Sequence, residues 1–279
     1  MDIHGLESIS WDNGIPTIKL TAYDSFPHGL RVNHLLASGD NNTKTRKNNG
    51  RGYLSAGLSL APHQSAGIGN VCTDASAACI EGCLNGQGLA SVFKTIAYAR
   101  KAKTILWYVE RGWFLDTLCH DIAKWASKAD AAGMRLCVRL NMFSDIEWEK
   151  HNIPQSFPDV MFYDYTKHPK RAGLLLPNYW ATFSRSESNH RAVIDNLSAG
   201  HNVAVVFYNQ GAYVGNRSGL QKLPKTWNGY PVIDGDTTDL RFDDPRGRTR
   251  GRVIGLRLKA HSNDSRDRMI TSGFAVRAF

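Results

Sequence analysis

The fold is decided by residues 114–140, which read FLDTLCHDIAKWASKADAAGMRLCVRL. Apolar residues such as Phe114, Leu118 and Ile122 recur there at steps of three and four, which is the spacing of one helix face. Gly133 follows at the position where helices commonly end in a left-handed glycine. The next residues, RLCVRL, are apolar in alternate places, as in a strand. The stretch predicts a helix followed directly by a strand, the repeating unit of an α/β protein.

A second helix-and-strand pair is predicted closer to the C-terminus. Residues 186–199 place Val193 and Leu197 on one face, Gly200 ends the segment, and the apolar run VAVVF follows. Further strands are predicted at Val160–Tyr165, Tyr179–Phe183 and Val253–Leu258. This pattern favours an α/β fold with a mainly parallel sheet, in the form of a (β/α) barrel or partial barrel. An open doubly wound sheet is the alternative.

The chain is of the size of one large domain, and we predict a single α/β domain over residues 1–279. Residues 1–60 are expected to form an N-terminal extension packed on it. The extension contains a polar loop at residues 39–52, GDNNTKTRKNNGRG, without apolar side chains. The basic residues of this loop either contact phosphate groups or form a solvated surface. They are Lys44, Arg46, Lys47 and Arg51.

The chain carries 34 Lys and Arg residues against 25 Asp and Glu residues, a formal net charge of +9. Such an excess favours a polyanionic partner, such as nucleic acid or a phosphorylated substrate. The first ten residues lack the pattern of a signal peptide, and no stretch of about 18 apolar residues follows. We therefore expect a cytoplasmic protein without membrane spans. The motifs GxGxxG and GxxxxGK(S/T) do not occur, which argues against dinucleotide-binding and P-loop proteins.

Three of the five cysteines lie within twelve residues, in the segment VCTDASAACIEGC. The odd total and the C-x6-C-x3-C spacing favour a ligand cluster in a reducing compartment over disulfides. Thiolates are soft ligands that select zinc or iron–sulfur clusters over magnesium or calcium. We therefore predict a metal site at Cys72, Cys79 and Cys83. The remaining cysteines, Cys119 and Cys137, are predicted to belong to the core.

The sequence leaves the metal open. Three cysteines with an open position suit a catalytic zinc, or a cluster whose fourth iron binds a substrate or cofactor. His63, His120 or Asp74 would instead complete a closed zinc site. Small buried cysteines without any metal are a further alternative.

Polar residues follow several of the predicted strands. Chemistry in parallel α/β proteins gathers at the carboxyl ends of the strands, where the loops converge. Side chains there could hold a charged, hydroxylated ligand such as a nucleoside or an amino acid, or could cap the helices that follow. The predicted catalytic residues are Asp145, Lys167 and Arg185, and the predicted cofactor-binding residues are Arg139, Asn141, Ser144 and Ser184.

Several segments form a recognisable series between about residue 42 and residue 274. They are GLSLAP at 57–62, VCTDASAAC-x3-C at 71–83, VRLN-x2-SD-x-EWE at 138–149, FSRSE-x-N at 183–189 and VIDGDTTDLRF at 232–242. Their order resembles a family of bacteriophage proteins, the gene product 88-like group, and related phage proteins with radical-SAM-like features. The resemblance implies a phage gene, and thus the host cell cytoplasm, and a cysteine site before a barrel-like series of strands. It implies no particular activity.

The radical-SAM comparison implies a specific chemistry. The three cysteines would bind three irons of a [4Fe–4S] cluster, and the fourth iron would bind the amino and carboxylate groups of S-adenosylmethionine. This cofactor would be contacted by Asn141, Ser144 and Asp145. The basic residues at the other strand ends would contact a nucleotide or nucleic acid. The cysteine spacing departs from the common C-x3-C-x2-C pattern, which leaves zinc as the alternative metal.

Three functions are compatible with these patterns. The first is a radical-forming iron–sulfur enzyme that acts on a nucleotide, nucleic acid or small metabolite. The second is a zinc-stabilised nucleic-acid-binding protein without catalysis, as the charge suggests. The third is a zinc hydrolase with Asp145 or Glu147 as general base.

Overall fold

The computed structural model describes residues 3, 5–21, 27–39, 47–83, 93–174, 176–209, 222–245, 247, 249–260 and 262–279. Within these ranges the strands are β1 (Leu6–Asp12), β2 (Ile15–Leu20), β3 (Leu30–Arg31), β4 (Leu36–Ser38), β5 (Tyr53–Leu58), β6 (Arg135–Arg139), β7 (Met161–Thr166), β8 (Tyr179–Ser184), β9 (Val203–Tyr208), β10 (Thr226–Trp227), β11 (Tyr230–Asp234), β12 (Val253–Arg257) and β13 (Val276–Arg277). The α-helices are α1 (Ala77–Glu81), α2 (Lys94–Val109), α3 (Arg111–Ala131), α4 (Ile153–Ser156), α5 (His190–Ser198) and α6 (Asn263–Thr271). Lys44 and Arg46 of the predicted basic loop lie outside the described ranges. No described helix is both long and apolar enough to cross a membrane.

One large, mostly parallel sheet organises the chain. Its order is β4-β5-β6-β7-β8-β9-β12-β11-β10, and β13 pairs with β9. Strands β5 to β9 stand in chain order, and β5, β6, β7, β8, β9, β12 and β11 run parallel to one another. The edge strands β4 and β10 are antiparallel to theirs. The α/β class with a mainly parallel sheet is therefore confirmed.

The predicted barrel is not confirmed. Over the described residues the sheet is an open path, because its edge strands β4 and β10 each pair on one side and not with each other. These edges are also short, with three residues in β4 and two in β10. Closing a barrel would require continuous hydrogen bonding between the first and last strands.

The helix predicted from residues 114–129 is α3, and it ends as expected. Gly133 adopts φ +64°, and the amide of Met134 returns to the Ala129 carbonyl, so the chain turns straight into β6. The second predicted helix is α5, followed by Gly200 at φ +90° and then by β9. Its start is later than predicted, because the Asn189 side chain accepts a hydrogen bond from the Ser186 amide and holds residues 186–189 in a turn.

The sheet has one apolar face that packs on the helices. Side chains such as Val138 and Phe162 lie in one core with Ile105 of α2 and Leu118 of α3. A second core joins β8, β9 and β12 to α5. Complete burial of such a side chain contributes about 1.5–3 kcal/mol. Because the helices cover this face, the opposite face is left for the polar and aromatic side chains described below.

The N-terminal residues form a separate three-stranded sheet, β1-β2-β3. Its tight turn uses Asn13 and Gly14, both with positive φ, as type I′ hairpins require. The Tyr98 hydroxyl of α2 donates to the Ile18 carbonyl and accepts from the Leu20 amide, and so fixes β2 to the helix. Strands β4 and β5 belong to the large sheet; the division of the chain at residue 60 stays a prediction.

Asp121 of α3 holds the start of β4. Its buried carboxylate accepts hydrogen bonds from the amides of Leu35 and Leu36, at 2.6 and 2.9 Å. We expect Asp121→Ala to lower the free energy of unfolding by about 2–4 kcal/mol, since two buried amides lose their acceptor. Urea denaturation measures this loss. Asp116→Ala, on an exposed position of the same helix, is the control and should change stability by less than about 0.5 kcal/mol.

Candidate functional site

The three clustered cysteines lie in the loop that leaves the carboxyl end of β5. Cys79 belongs to α1, Cys72 precedes this helix and Cys83 follows it, and all three are half-buried. Burial, and then the proximity of Cys83 and Cys79, raise the pKa of Cys72 to about 12, although the amide of His63 opposes this. Cys79 and Cys83 therefore lie close enough to Cys72 to disfavour a negative charge on its thiol. A bound cation would remove this penalty.

Cys72 is held against the loop that follows β6. Its thiol donates to the Phe143 carbonyl at 3.2 Å and accepts from the His63 amide at 3.4 Å. The Asp145 amide donates to the Val71 carbonyl at 2.7 Å. These contacts tie the cysteine loop to the end of the neighbouring strand.

Cys79 is positioned by a residue that follows β8. Ser76 caps α1, with its hydroxyl accepting from the Cys79 amide. Glu187 in turn accepts from the Ser76 hydroxyl at 2.7 Å and from the Ala78 amide at 3.0 Å. Burial alone would raise the pKa of Glu187, but these hydrogen bonds lower it below its ordinary value. Glu187 is thus a carboxylate that fixes the start of the cysteine helix.

Lys167 and Ser184 meet at the ends of β7 and β8. The Lys167 ammonium donates to the Ser184 hydroxyl at 3.1 Å and lies near the carbonyls of Ser184 and Arg185. Burial raises the pKa of Cys79, and the charge of Lys167 partly offsets this shift. Lys167 therefore lies on the same side of the sheet edge as the cysteines. Arg185 turns away, and its guanidinium donates to the carbonyls of Gly273 and Phe274.

Asp145 is a buried connector. Its carboxylate accepts from the Lys167 amide at 2.7 Å, from Thr166 at 3.0 Å and from Arg171 at 2.6 Å. Burial raises its pKa, and Arg171 opposes the shift. Arg171 is itself buried and also pairs with Glu149. Because the carboxylate oxygens of Asp145 already accept hydrogen bonds from other residues of the chain, this residue positions the loops of the site.

Asn141 and Ser144 form the turn after β6. The Asn141 carbonyl oxygen accepts from Ser144, from the Ile146 amide and from the Trp148 indole, at 2.7–3.1 Å. Its amide group donates to the Ile146 carbonyl and to Asp164. Both residues are buried. Their predicted contact with a cofactor stays a prediction, and their described partners belong to the chain.

Arg139 lies on the face of the sheet that the helices leave open, where it pairs with Asp239 at 3.2 Å. Of the predicted cofactor-binding residues, Ser184 lies at the carboxyl ends of β7 and β8, which we call the mouth of the site. Arg139 lies farther from these strand ends. Sequence reasoning did not single out Arg171 or Glu149, and Glu187 and Asp239 were not among the predicted catalytic or cofactor-binding residues. Glu187 stands two residues after Arg185 in FSRSE, so its position beyond a strand end was a usable signal.

The described residues contain no group of three or more His, Cys, Asp or Glu side chains arranged to hold one metal ion. His63 reaches Cys72 through its backbone amide. A zinc ion at about 2.3 Å from each sulfur would need the sulfurs within roughly 4 Å of one another. An iron–sulfur cluster attaches each cysteine to a different iron and so spreads the sulfurs farther apart. The metal site predicted at Cys72, Cys79 and Cys83 stays a prediction.

Cys119 and Cys137 take no part in this cysteine loop. Cys137 is fully buried in β6, and its sulfur lies 3.2 Å from the Ser55 hydroxyl, in agreement with the predicted core position. Cys119 is half-buried and packs against the main core.

A cleft with a volume of about 270 Å³ opens beside the cysteine loop. It is lined by charged groups of both signs and by aromatic rings, among them Asp74, Glu147, His168 and Tyr108. Glu147 pairs with Lys150, whose hydrogen bond lowers the pKa of this carboxyl. The cleft gives a polar ligand access to the backbone beside Cys72.

Comparison with known proteins identifies a family. The model of the family described as Gene product 88 matches residues 34–277. Searches of curated proteins and of solved structures return no significant match.

We expect Glu187→Ala to loosen the cysteine helix, because the Ser76 hydroxyl and the Ala78 amide lose their acceptor. Hydrogen exchange of residues 76–83 should become faster by about tenfold, and Glu187→Gln, which keeps a carbonyl oxygen, should show a smaller change. Asp195→Ala, an exposed acid on α5, is the control. Unchanged exchange in Glu187→Ala would show that the clamp does not order the loop.

The buried carboxyl group of Asp164 leads us to predict that the stability of the fold depends on pH. Asp164 is fully buried, and burial raises its pKa to about 7, although hydrogen bonds from Tyr179 and the Asn141 amide oppose the shift. Because the folded state binds the proton more tightly than the unfolded chain does, its contribution to stability falls as pH rises from about 4 to about 7. Denaturation at pH 5 and pH 8 should show a smaller loss in Asp164→Asn than in the parent. An equal loss in both proteins would contradict the shift.

Proposed function

The chain belongs to the Gene product 88 family, and we propose that it is a radical-forming iron–sulfur enzyme, radical-SAM-like in type. One observation carries the proposal. The loop with Cys72, Cys79 and Cys83 leaves the carboxyl end of β5, the first strand of a parallel series in chain order. Ligands of parallel α/β proteins bind at this edge.

The charges around the thiols support a metal group that binds the cysteines as thiolates. Burial keeps the Cys72 and Cys79 thiols protonated when no cation is bound. Two cationic side chains lie close by. The charge of Lys167 lowers the pKa of Cys79, and Arg100 interacts electrostatically with Cys83. A metal group that binds thiolates would be favoured by both.

The open position of a three-cysteine cluster would take S-adenosylmethionine. A cluster held by the three cysteines would supply one-electron reduction of S-adenosylmethionine, with the electron drawn from an external reductant, and the sulfonium would divide into methionine and a carbon radical. The chain's own part is binding and orientation: the Lys167 ammonium and the Ser184 hydroxyl offer donors for a carboxylate at the mouth. Asp145 and Arg171 hold the backbone from which Lys167 extends.

The substrate class that we propose is a nucleotide, a nucleic acid or a related small metabolite. The net charge of +9 favours a polyanionic or phosphorylated partner. Lys47 and Arg51, the described basic residues of the predicted loop, are exposed. A zinc-stabilised nucleic-acid-binding protein shares these features and differs in its metal.

Metal content separates these functions. Protein purified without oxygen should contain about four irons and four sulfides per chain, with broad visible absorption. Cys79→Ala should lose most of the iron, whereas the control Cys119→Ala, at a half-buried cysteine of α3, should retain it. One zinc and no colour would favour the binding protein, and no metal at all would refute both readings.

Cofactor binding is tested at Lys167. We expect Lys167→Ala to weaken S-adenosylmethionine binding about tenfold or more, since a charge-assisted hydrogen bond contributes about 1.5–3 kcal/mol. Lys170→Ala, at an exposed position three residues away, should leave the affinity unchanged. Calorimetry on the iron-loaded protein measures both. Equal affinities in the two variants would place the cofactor elsewhere.

A further inference from the structure

The face of the sheet opposite the helices carries a buried polar cluster. Partners in the strand register share a face, and the pairs Cys137 with Met161 and Tyr163 with Trp180 therefore place alternate residues of β6, β7 and β8 on this side. Arg139 and Tyr165 follow two residues after Cys137 and Tyr163. The segment of residues 238–242 lies over them, with Phe242 packed edge-on against Tyr163.

Arg139 and Asp239 pair through a single contact. Nη1 of Arg139 lies 3.2 Å from Oδ2 of Asp239, while Arg139 Nε and Asp239 Oδ1 are buried and have no hydrogen-bond partner among the described residues. Arginine and carboxylate commonly form two parallel hydrogen bonds. The pair therefore leaves one donor and one acceptor unused. Burial alone would lower the pKa of Arg139, but Asp239 raises it, so the guanidinium stays charged.

Two tyrosine hydroxyls adjoin this pair. The Arg139 guanidinium lies 4.9 Å from the centre of the Tyr165 ring, and the buried Tyr165 hydroxyl has no hydrogen-bond partner in the described part of the chain. The Tyr163 hydroxyl lies next to Asp239. Burial raises the pKa of both phenols, so each keeps its proton at neutral pH.

These buried polar atoms have no hydrogen-bond partner in the described chain, and a bound ligand would supply partners for them. A buried donor or acceptor without a partner costs about 1–3 kcal/mol, and native structures contain only a few. Here they lie on side chains that contact one another. The neighbouring pair of Arg241 and Asp244 adds one charge of each sign, so the cluster has no net charge.

We propose that Arg139, Tyr165 and Asp239 recognise an uncharged planar ring with neighbouring N–H and C=O groups, as in a nucleobase. A neutral ring fits because the cluster's charges cancel, and an added buried charge would be unbalanced. The ring C=O groups accept from Arg139 Nε and the Tyr165 hydroxyl, and the ring N–H donates to Asp239 Oδ1. That this ring belongs to the substrate rests on the proposed function.

The position along β7 agrees with this assignment. Tyr165 stands two residues before Lys167, and a strand advances about 3.3 Å per residue, so the ring would lie roughly 7 Å deeper than Lys167. The sugar of a nucleoside would then point toward the mouth and the cysteine loop. The side chain of Arg139 is 16% exposed, so the Arg139–Asp239 pair is accessible from solvent.

The test uses uridine and guanosine, whose rings both carry adjacent N–H and C=O groups, with ribose 5-phosphate as a probe that lacks the ring. Calorimetry on the full chain should show binding of a nucleoside and none of ribose 5-phosphate. Tyr165→Phe should weaken nucleoside binding about five- to tenfold and leave the midpoint of thermal unfolding unchanged, because the lost hydroxyl has no partner in the described chain.

Tyr230→Phe is the matched control, since its hydroxyl pairs with Ser198 in another core. It should lower stability slightly and keep the nucleoside affinity. The inference fails if neither nucleoside binds, if ribose 5-phosphate binds as well as they do, or if Tyr165→Phe binds like the parent. Binding by protein without any metal would uphold this site although the iron–sulfur proposal fails. A loaded cluster without nucleoside binding would refute this site alone.

Discussion

The site depends on the way in which Asp145 joins three loops at one edge of the sheet. Its amide binds the Val71 carbonyl of the cysteine loop, and its carboxylate binds the Lys167 amide after β7. Arg171 neutralises this carboxylate inside the protein and binds Glu149 as well. Removal of one member of such a buried pair leaves an unbalanced charge. This ionic connection therefore contributes to the relative positions of the cysteine loop and the Lys167 backbone.

The strand order explains why one face of the sheet is available for chemistry. Parallel strands that follow one another in the chain need crossover connections of the same hand, and this places their helices on one side. Here that side is filled by α2, α3 and α5. The other side carries the polar residues of β6 and β7 and the segment of residues 238–242. The cysteine helix reaches this same region, since Cys79 packs with residues of β9 and the C-terminal segment.

The sequence was sufficient wherever a local pattern determined the structure. The helix before Gly133 and the five predicted strands are present, because hydrophobic spacing and glycine position are read within one element. The turn at Asn13 and Gly14 carried an equally local signal that the prediction did not use. The pairing of Arg139 with Asp239, 100 residues apart, depends on the complete fold and leaves no trace in spacing. The same holds for Glu187, whose partners precede it by more than 100 residues.

The clamp of Glu187 on Ser76 spans 111 residues of chain, and this has a consequence for biosynthesis. A ribosome that has just released the cysteine segment has not yet made Asp145 or Glu187, the residues that hold this segment in place. The thiols therefore pass through a stage in which they are tethered to a growing chain but not shaped into a site. Delivery of the proposed metal group would have to follow the emergence of Glu187, and until then the thiols would stay exposed to oxidation.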